Sequence, residues 1–129
     1  MKARLAAAVI PVLAYLLSGS VSADAAQCGG AAWAPPGGGW GPVSTSPQAA
    51  AGFPGYKLAY RWHVEGNVPT MVCAQGLGFD QSNHAQWYGL GCSYDGGLQA
   101  VPWGNNLGPP ELRAKSLNVV NGVIVSWLC

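Results

Sequence analysis

Acid–base and nucleophilic chemistry in this chain would have to come from two histidines and a few carboxylates. Neither His63 nor His84 stands in a nucleophile or metal-binding motif such as Gly-x-Ser-x-Gly or His-x-x-x-His. Glu65 and Glu111 could act as acid and base if the fold brought them together. Because solvated carboxylates in turns are much commoner in such a composition, we predict that the protein is not an enzyme and has no cofactor.

Four cysteines are the other reactive side chains, at positions 28, 73, 92 and 129. Zinc sites usually contain cysteine pairs with about two to four residues between them, and no two of these cysteines are that close. In an exported protein, an even number of cysteines favours disulfides. We therefore predict two bridges and no metal site.

Side chains suited to binding are more abundant than catalytic ones. The chain has six tryptophans, and one triplet places an arginine between two aromatic residues. Aromatic residues and arginine supply much of the energy at protein interfaces, and exposed rings can also stack on sugars. We predict binding residues at Tyr60, Arg61, Trp62, Trp87 and Trp103. The alternative for each tryptophan is a place in the core, because a small domain needs several large side chains.

The triplet Tyr60-Arg61-Trp62 resembles one that secreted bacterial amylase inhibitors of the tendamistat type present to their enzyme. Those inhibitors are also small, all-β and held by two disulfides, which implies inhibition of a secreted hydrolase as one function. Their triplet has the reverse order, Trp-Arg-Tyr, and lies between closely spaced cysteines rather than between the distant Cys28 and Cys73. The resemblance covers one tripeptide, so it is an analogy of class and not of family.

Residues 1–26 have the composition of a secretory signal peptide that is removed. Lys2 and Arg4 precede the apolar stretch Leu5–Leu17, and small residues before Cys28 offer a cleavage site. The apolar stretch is shorter than the roughly 20 residues that a membrane-spanning helix needs, and Pro11 interrupts it. We predict a secreted, extracellular protein that has no membrane association after cleavage.

Charge and length restrict the partners and the number of domains. Charged residues make up 9% of the chain and the net charge is +1, which leaves no basic patch for nucleic acid. The remaining residues are enough for one domain, which we divide into a Gly/Ala/Pro-rich arm over 27–55 and a β domain over 56–129. The arm's composition predicts no regular strand or helix, and Trp33 and Trp40 would pack it onto the domain.

Alternating apolar residues predict strands in the second part of the chain. In Tyr56–Val64, Tyr60 and Trp62 belong to the core face, and Arg61 and His63 to the solvent face. Further strands are predicted at Thr70–Phe79, Ala85–Tyr94, Leu98–Trp103, Ser116–Val120 and Val123–Leu128. Asn121-Gly122 should join the last two strands as a hairpin, and Pro109–Ala114 should form a single helical turn.

A turn at Ser82-Asn83 would set the register of the central hairpin. It places Cys73 opposite Cys92, and collects on the other face the glycines of both strands, with Trp87 among them. This glycine face would pack against a neighbouring sheet or the arm, or form a shallow ligand groove. The register predicts the bridges Cys73–Cys92 and Cys28–Cys129; sequential pairing, Cys28–Cys73 and Cys92–Cys129, is the alternative.

The sequence therefore predicts an all-β fold, a small antiparallel β-sandwich or barrel with two disulfides, preceded by a Gly/Pro-rich N-terminal arm. We expect a non-enzymatic binding protein whose partner is an extracellular protein or a polysaccharide. The first hypothesis is recognition of a protein, for example as an inhibitor of a secreted hydrolase. The alternatives are a carbohydrate- or cell-wall-binding module that uses exposed tryptophans, and a structural cell-surface protein that associates through its β edges.

Overall fold

A computed structural model describes residues 27–129 and, ahead of them, the two short strands Ile10–Pro11 and Ala14–Tyr15, which pair with each other. The signal segment predicted at 1–26 otherwise lies outside the described residues. From residue 27 onward the chain forms ten strands and no helix. The strands are β1 (Gly29–Ala34), β2 (Ser44–Thr45), β3 (Ala50–Ala51), β4 (Lys57–Val64), β5 (Val72–Phe79), β6 (Ala85–Ser93), β7 (Gly96–Pro102), β8 (Leu107–Gly108), β9 (Glu111–Ser116) and β10 (Val123–Leu128).

Two antiparallel sheets of four strands each make up the fold. The first sheet has the order β7-β4-β10-β1 and the second the order β2-β9-β5-β6, while β3 and β8 form a separate two-stranded ribbon. The predicted all-β class with a sandwich of antiparallel strands is confirmed.

The core lies between the two sheets and consists of the inward-facing residues of both. Strand β4 shows the pattern most clearly, because its residues alternate strictly between exposed and buried, as predicted. The hydroxyl of Tyr60 crosses the core and donates a hydrogen bond to the Leu77 carbonyl at 2.7 Å. The buried apolar residues are Ala32, Ala34, Leu58, Tyr60, Trp62, Val64, Val72, Ala74, Leu90, Val101, Trp103, Leu112, Ala114, Val125 and Trp127.

Part of the segment 29–55 is regular, and the prediction that it contains no strand is wrong. Strand β1 pairs along its whole length with β10. Gly30 shows why β1 needs small residues, since a Cβ at this position would lie 2.9 Å from Ser44 Oγ and 3.3 Å from the Trp127 indole nitrogen. Pairing with a neighbour, rather than intrinsic propensity, makes this strand.

After β1 the chain passes from the first sheet to the second. The amide groups of Gly38 and Gly41 donate to the carbonyls of Ser116 and Ala114, each at 2.9 Å, so this stretch runs beside β9. The short strand β2 then continues the pairing with β9. The two sheets are thus closed along one side by backbone hydrogen bonds.

The central hairpin contains a bulge that the predicted register lacks. Cys73 does oppose Cys92, as predicted, but the register shifts between Ala74 and Gln75, so that Leu77 opposes Trp87 rather than Tyr88. The additional residue on β6 is Leu90, which is 6% exposed and points into the core. The bulge allows Leu90 to be buried in the core, and as a result Leu90 has no pairing partner on β5.

The inward face of β5 is the predicted glycine face, and the neighbouring sheet covers it. A Cβ at Gly76 would lie 2.7 Å from the Tyr60 ring, and one at Gly78 would lie 2.5 Å from the Pro102 carbonyl oxygen. The interpretation of this face as a packing surface is therefore confirmed for β5. Trp87 is not part of it, because the bulge turns Trp87 to the outer face beside Leu77.

The helical turn predicted at Pro109–Ala114 is wrong, because this part of the chain belongs to β9. Leu112, Ala114 and Ser116 are buried at alternate positions, and β9 pairs with strands on both sides. Backbone hydrogen bonds to the strands on both sides stabilise the extended conformation more than the weak preference of a Pro-Glu segment stabilises a helical turn.

The hairpin predicted at Asn121-Gly122 is also wrong, since β9 and β10 lie in different sheets. Asn118 orders the connection instead, because its Oδ1 accepts hydrogen bonds from the amides of Val120 and Asn121, both at 2.8 Å. Gly122 is needed for packing, since a Cβ there would lie 2.6 Å from the Trp33 ring.

Both predicted disulfides are confirmed. Cys73–Cys92 joins β5 to β6, with the two Cα atoms 4.0 Å apart. Cys28–Cys129 joins the residue before β1 to the residue after β10, with the Cα atoms 5.2 Å apart. The described part of the chain contains no free cysteine.

Candidate binding surface

Three of the five predicted binding residues lie in the core. Tyr60 and Trp103 are 0% exposed and Trp62 is 3% exposed, so a partner could reach them only if the sheets separated. Burial also raises the pKa of the Tyr60 hydroxyl well above its usual range, which keeps it protonated as the donor to Leu77. These three residues hold the two sheets together, and we do not assign them to a binding surface.

The fourth predicted residue, Trp87, is half-buried on the outer face of the second sheet. Its ring stacks on the guanidinium of Arg113, with 4.5 Å from Cζ to the ring centroid. The same guanidinium lies 4.9 Å from the ring of Trp40, and its Nε donates to Gln75 Oε1 at 2.8 Å. Since Arg113 packs on both tryptophans, this cluster attaches the segment after β1 to the sheet.

The fifth predicted residue, Arg61, is the exposed one, and it lies on the outer face of the first sheet. Unlike Arg113, the Arg61 side chain makes no hydrogen bond or ion pair within residues 27–129. It stands on the central part of a four-stranded sheet, in register with Leu98 of β7 on one side and Leu128 of β10 on the other. Its five N–H donors are therefore available to an incoming group.

Two large apolar side chains flank Arg61, and two more lie farther along the same outer face. Leu98 is 56% exposed and Leu128 is 49% exposed, and both are level with the arginine. Farther along β10, Ile124 (42%) lies opposite Trp33 of β1 (43%). Exposed apolar residues are ordinary when scattered, but four on one face of one sheet are typical of an interaction surface. We call this outer face, with Trp33, Arg61, Leu98, Ile124 and Leu128, the Arg61 surface.

Two shallow depressions flank the arginine. One, of about 440 Å³, is bordered by Gly29, Arg61 and Leu128, and the other, of about 380 Å³, by Gly96, Arg61 and Leu98. Gly29 and Gly96 have φ values of +140° and +135°, and a Cβ on either would collide with a neighbouring carbonyl oxygen. Glycine is thus required at both places by its backbone conformation and by the close approach of the neighbouring strand.

A polar row crosses the Arg61 surface between its apolar parts. His63 is opposite Ser126, whose hydroxyl donates to Glu65 Oε2 at 2.6 Å. His63 also borders both depressions next to Arg61 and a third one, of about 430 Å³, at the end of the sheet. The surface therefore combines apolar contacts with a free cation and a few hydrogen-bonding groups, the mixture found at protein interfaces.

The groups considered for catalysis lie on separate elements. Glu65 follows β4 in the first sheet, whereas Glu111 begins β9 in the second. His84 Nδ1 lies 4.0 Å from Asp80 Oδ2, and both residues belong to the turn region of the central hairpin. Among the described residues there is no group of three potential metal ligands, and no helix long and apolar enough to cross a membrane.

Sequence reasoning identified Arg61 and omitted most of its neighbours. The alternation in Val123–Leu128 contained the missing signal, since Ile124 and Leu128 occupy the face opposite Val125 and Trp127. Comparisons of the chain with protein-family models, with curated proteins and with solved structures give no match.

Proposed function

We propose that this is a secreted, non-enzymatic binding protein that recognises an extracellular protein through the Arg61 surface. The observation that carries the proposal is an arginine that has no partner among residues 27–129 and lies between two exposed leucines, on a sheet face that carries two further exposed apolar side chains. Arginine within an apolar surface is a frequent source of binding energy, because a partner that covers it excludes water from its hydrogen bonds. The two disulfides agree with an oxidising location outside the cytoplasm.

The surface also indicates the chemistry of the partner. The depressions beside Arg61 can receive side chains of a partner. The free guanidinium favours a carboxylate, which it can bind through two parallel hydrogen bonds. The apolar rim favours aliphatic or aromatic residues around that carboxylate. Inhibition of a secreted hydrolase is one function that such a complex would serve.

A rigid sheet favours this mode of binding. Apart from Leu98 on the edge strand β7, the residues of the Arg61 surface stand on strands that are paired on both sides or tied by a disulfide, so few backbone degrees of freedom are lost on docking. By contrast, the half-buried tryptophans on the other sheet have ring faces occupied by Arg113, which makes them less suitable for stacking on sugars.

The test is capture of a partner from the extracellular fraction of the source culture on immobilised, oxidised protein, followed by affinity measurement with the captured protein. Arg61→Ala should weaken that complex by about 10-fold to 100-fold or more, as expected for an interfacial arginine. Lys57→Ala removes the same charge from the same face of β4 and should change the affinity by less than about threefold, because Lys57 lies outside the apolar surface. A partner that binds Arg61→Ala as tightly as the natural protein, or retention on a polysaccharide with release by free sugar, would overturn the proposal.

A further inference from the structure

Strand β7 is a free edge of the first sheet. It pairs with β4 on one side and has no strand on the other within the described residues. The opposite edge strand, β1, continues directly into the segment that bonds to β9, so that edge is tied to the second sheet. Among the strands of residues 27–129 that are longer than two residues, β7 and β6 are therefore the sheet edges that are not tied in this way.

The hydrogen bonds at the two ends of β7 show which of its backbone groups point outward. Val64 N–H donates to Asp95 O at 2.8 Å, and Trp103 N–H donates to Tyr56 O at 3.0 Å. Antiparallel pairs alternate between bonded and non-bonded positions, so Gly97, Gln99 and Val101 bond to β4, and the residues between them turn their amides and carbonyls away from it.

Two of those outward residues have a free amide group. Gly96 N–H already donates to Ser93 Oγ at 3.1 Å, and Pro102 has no N–H. Leu98 and Ala100 remain, one residue before and one residue after Gln99. The available donors are thus symmetric about Gln99.

Apart from Pro102 at its end, strand β7 lacks the features with which soluble proteins protect such an edge. Gly96–Pro102 contains no charged side chain and no bulge, and most of its residues are exposed. The other free edge, β6, is interrupted by the bulge at Leu90 and by Gly91 at φ +102°. Natural edge strands are normally blunted by charges, prolines or bulges, so an edge whose central residues have none of these is typical of a pairing site.

We propose that β7 pairs antiparallel with β7 of a second copy of this chain, about a two-fold axis at Gln99. In this register Leu98 of each copy exchanges both backbone hydrogen bonds with Ala100 of the other, which uses all the free amides of both edges. A two-fold interface brings each residue near the axis close to its own copy, so an edge without charge places no like charges together there. Gln99 then faces its own copy, and its side-chain amide, now 3.4 Å from the Ala100 carbonyl, can bond across the axis.

The paired sheets form one surface of eight strands. Because the two-fold axis is perpendicular to the sheet, the outer faces of both copies lie on the same side, and the two Arg61 surfaces become neighbours. One strand pair buries less than a standard interface, so the complex is weak and depends on concentration.

The test is sedimentation equilibrium of the oxidised protein over a wide concentration range, combined with amide hydrogen exchange. Ala100→Pro removes one outward N–H and leaves the ladder to β4 intact, and proline is tolerated at such edge positions. We expect it to weaken dimerisation at least 10-fold, whereas Ala100→Val, which keeps the N–H, should dimerise like the natural protein. The amides of Leu98 and Ala100 should gain protection at high concentration, while Gln99 should be protected at all concentrations.

A second variant covers the case in which Ala100→Pro fails to fold. Leu98→Lys places two equal charges near the two-fold axis and should also yield a monomer. A natural protein that stays monomeric at millimolar concentration, or that dimerises with unprotected Leu98 and Ala100 amides, would contradict the proposal. Neither outcome affects the binding test with Arg61→Ala, which can be made at concentrations where the protein is monomeric.

Discussion

Arg61 and Arg113 show how differently one residue type can be used on two faces of a small domain. Arg113 is held between two tryptophan rings and bonded to Gln75, so its binding capacity is already satisfied within the molecule. Arg61 stands among exposed apolar side chains with no bond of its own in the described chain. The difference comes from the neighbouring strands, since among the described residues the cation–π contacts of arginine are those of Arg113, and it could not be inferred from the triplet that contains Arg61.

Substitution of Gly76 tests how closely the two sheets pack. Gly76→Ala should destabilise the fold by roughly 1–3 kcal/mol, because the new methyl group would lie 2.7 Å from the buried Tyr60 ring. Gly89→Ala on the paired strand is the matched control. A Cβ there meets no atom within 4 Å, so this variant should be neutral or slightly stabilising. Urea unfolding of both variants measures the difference, and equal stabilities would mean that the sheets can move apart at Gly76 without cost.

At the scale of strands, the Arg113 cluster joins three parts of the chain: Trp40 after β1, Arg113 on β9 and Trp87 on β6. Arg113→Lys keeps the charge but loses the planar group that stacks on both rings and donates to Gln75. We expect a loss of about 1–2 kcal/mol in the free energy of unfolding. Arg61→Lys is the same substitution at an exposed position without partners, and it should change stability by less than about 0.5 kcal/mol. Denaturant unfolding checks both, and similar values for the two variants would show that the cluster contributes nothing.

Sequence patterns predicted strands well where burial alternates and poorly where pairing alone makes the strand. β4 was predicted almost to the residue because one face is aromatic and apolar and the other charged. β1 consists largely of glycine and alanine, and the backbone of β10 specifies it. The bulge at Leu90 and the packing role of Gly122 depend on contacts with other strands, which no local pattern contains. The Arg61 surface was only partly predictable for the same reason, since its residues come from four strands.

For the molecule as a whole, the two bridges should contribute unequally to stability. Cys28–Cys129 spans 101 residues and Cys73–Cys92 spans 19, so the first restricts the unfolded chain more. Replacing the first pair by alanine should cost about 4–5 kcal/mol, and replacing the second about 3 kcal/mol. Equilibrium unfolding of the two double variants gives the comparison. If the variant without Cys73–Cys92 were the less stable, local packing around the bridges, rather than restriction of the unfolded chain, would determine how much each bridge contributes to stability.

The disulfide Cys28–Cys129 has a further consequence for how the strands are connected. Because Cys28 and Cys129 close the domain covalently, the oxidised protein from residue 28 onward is a ring, and the order of its strands along that ring has no structural beginning. A ring can be opened elsewhere without changing which strands are neighbours. The exposed connection around Gly66-Asn67 lies between β4 and β5 and carries no core residue. A circular permutant that begins there, with a short linker in place of the bridge, would keep both sheets and the Arg61 surface intact.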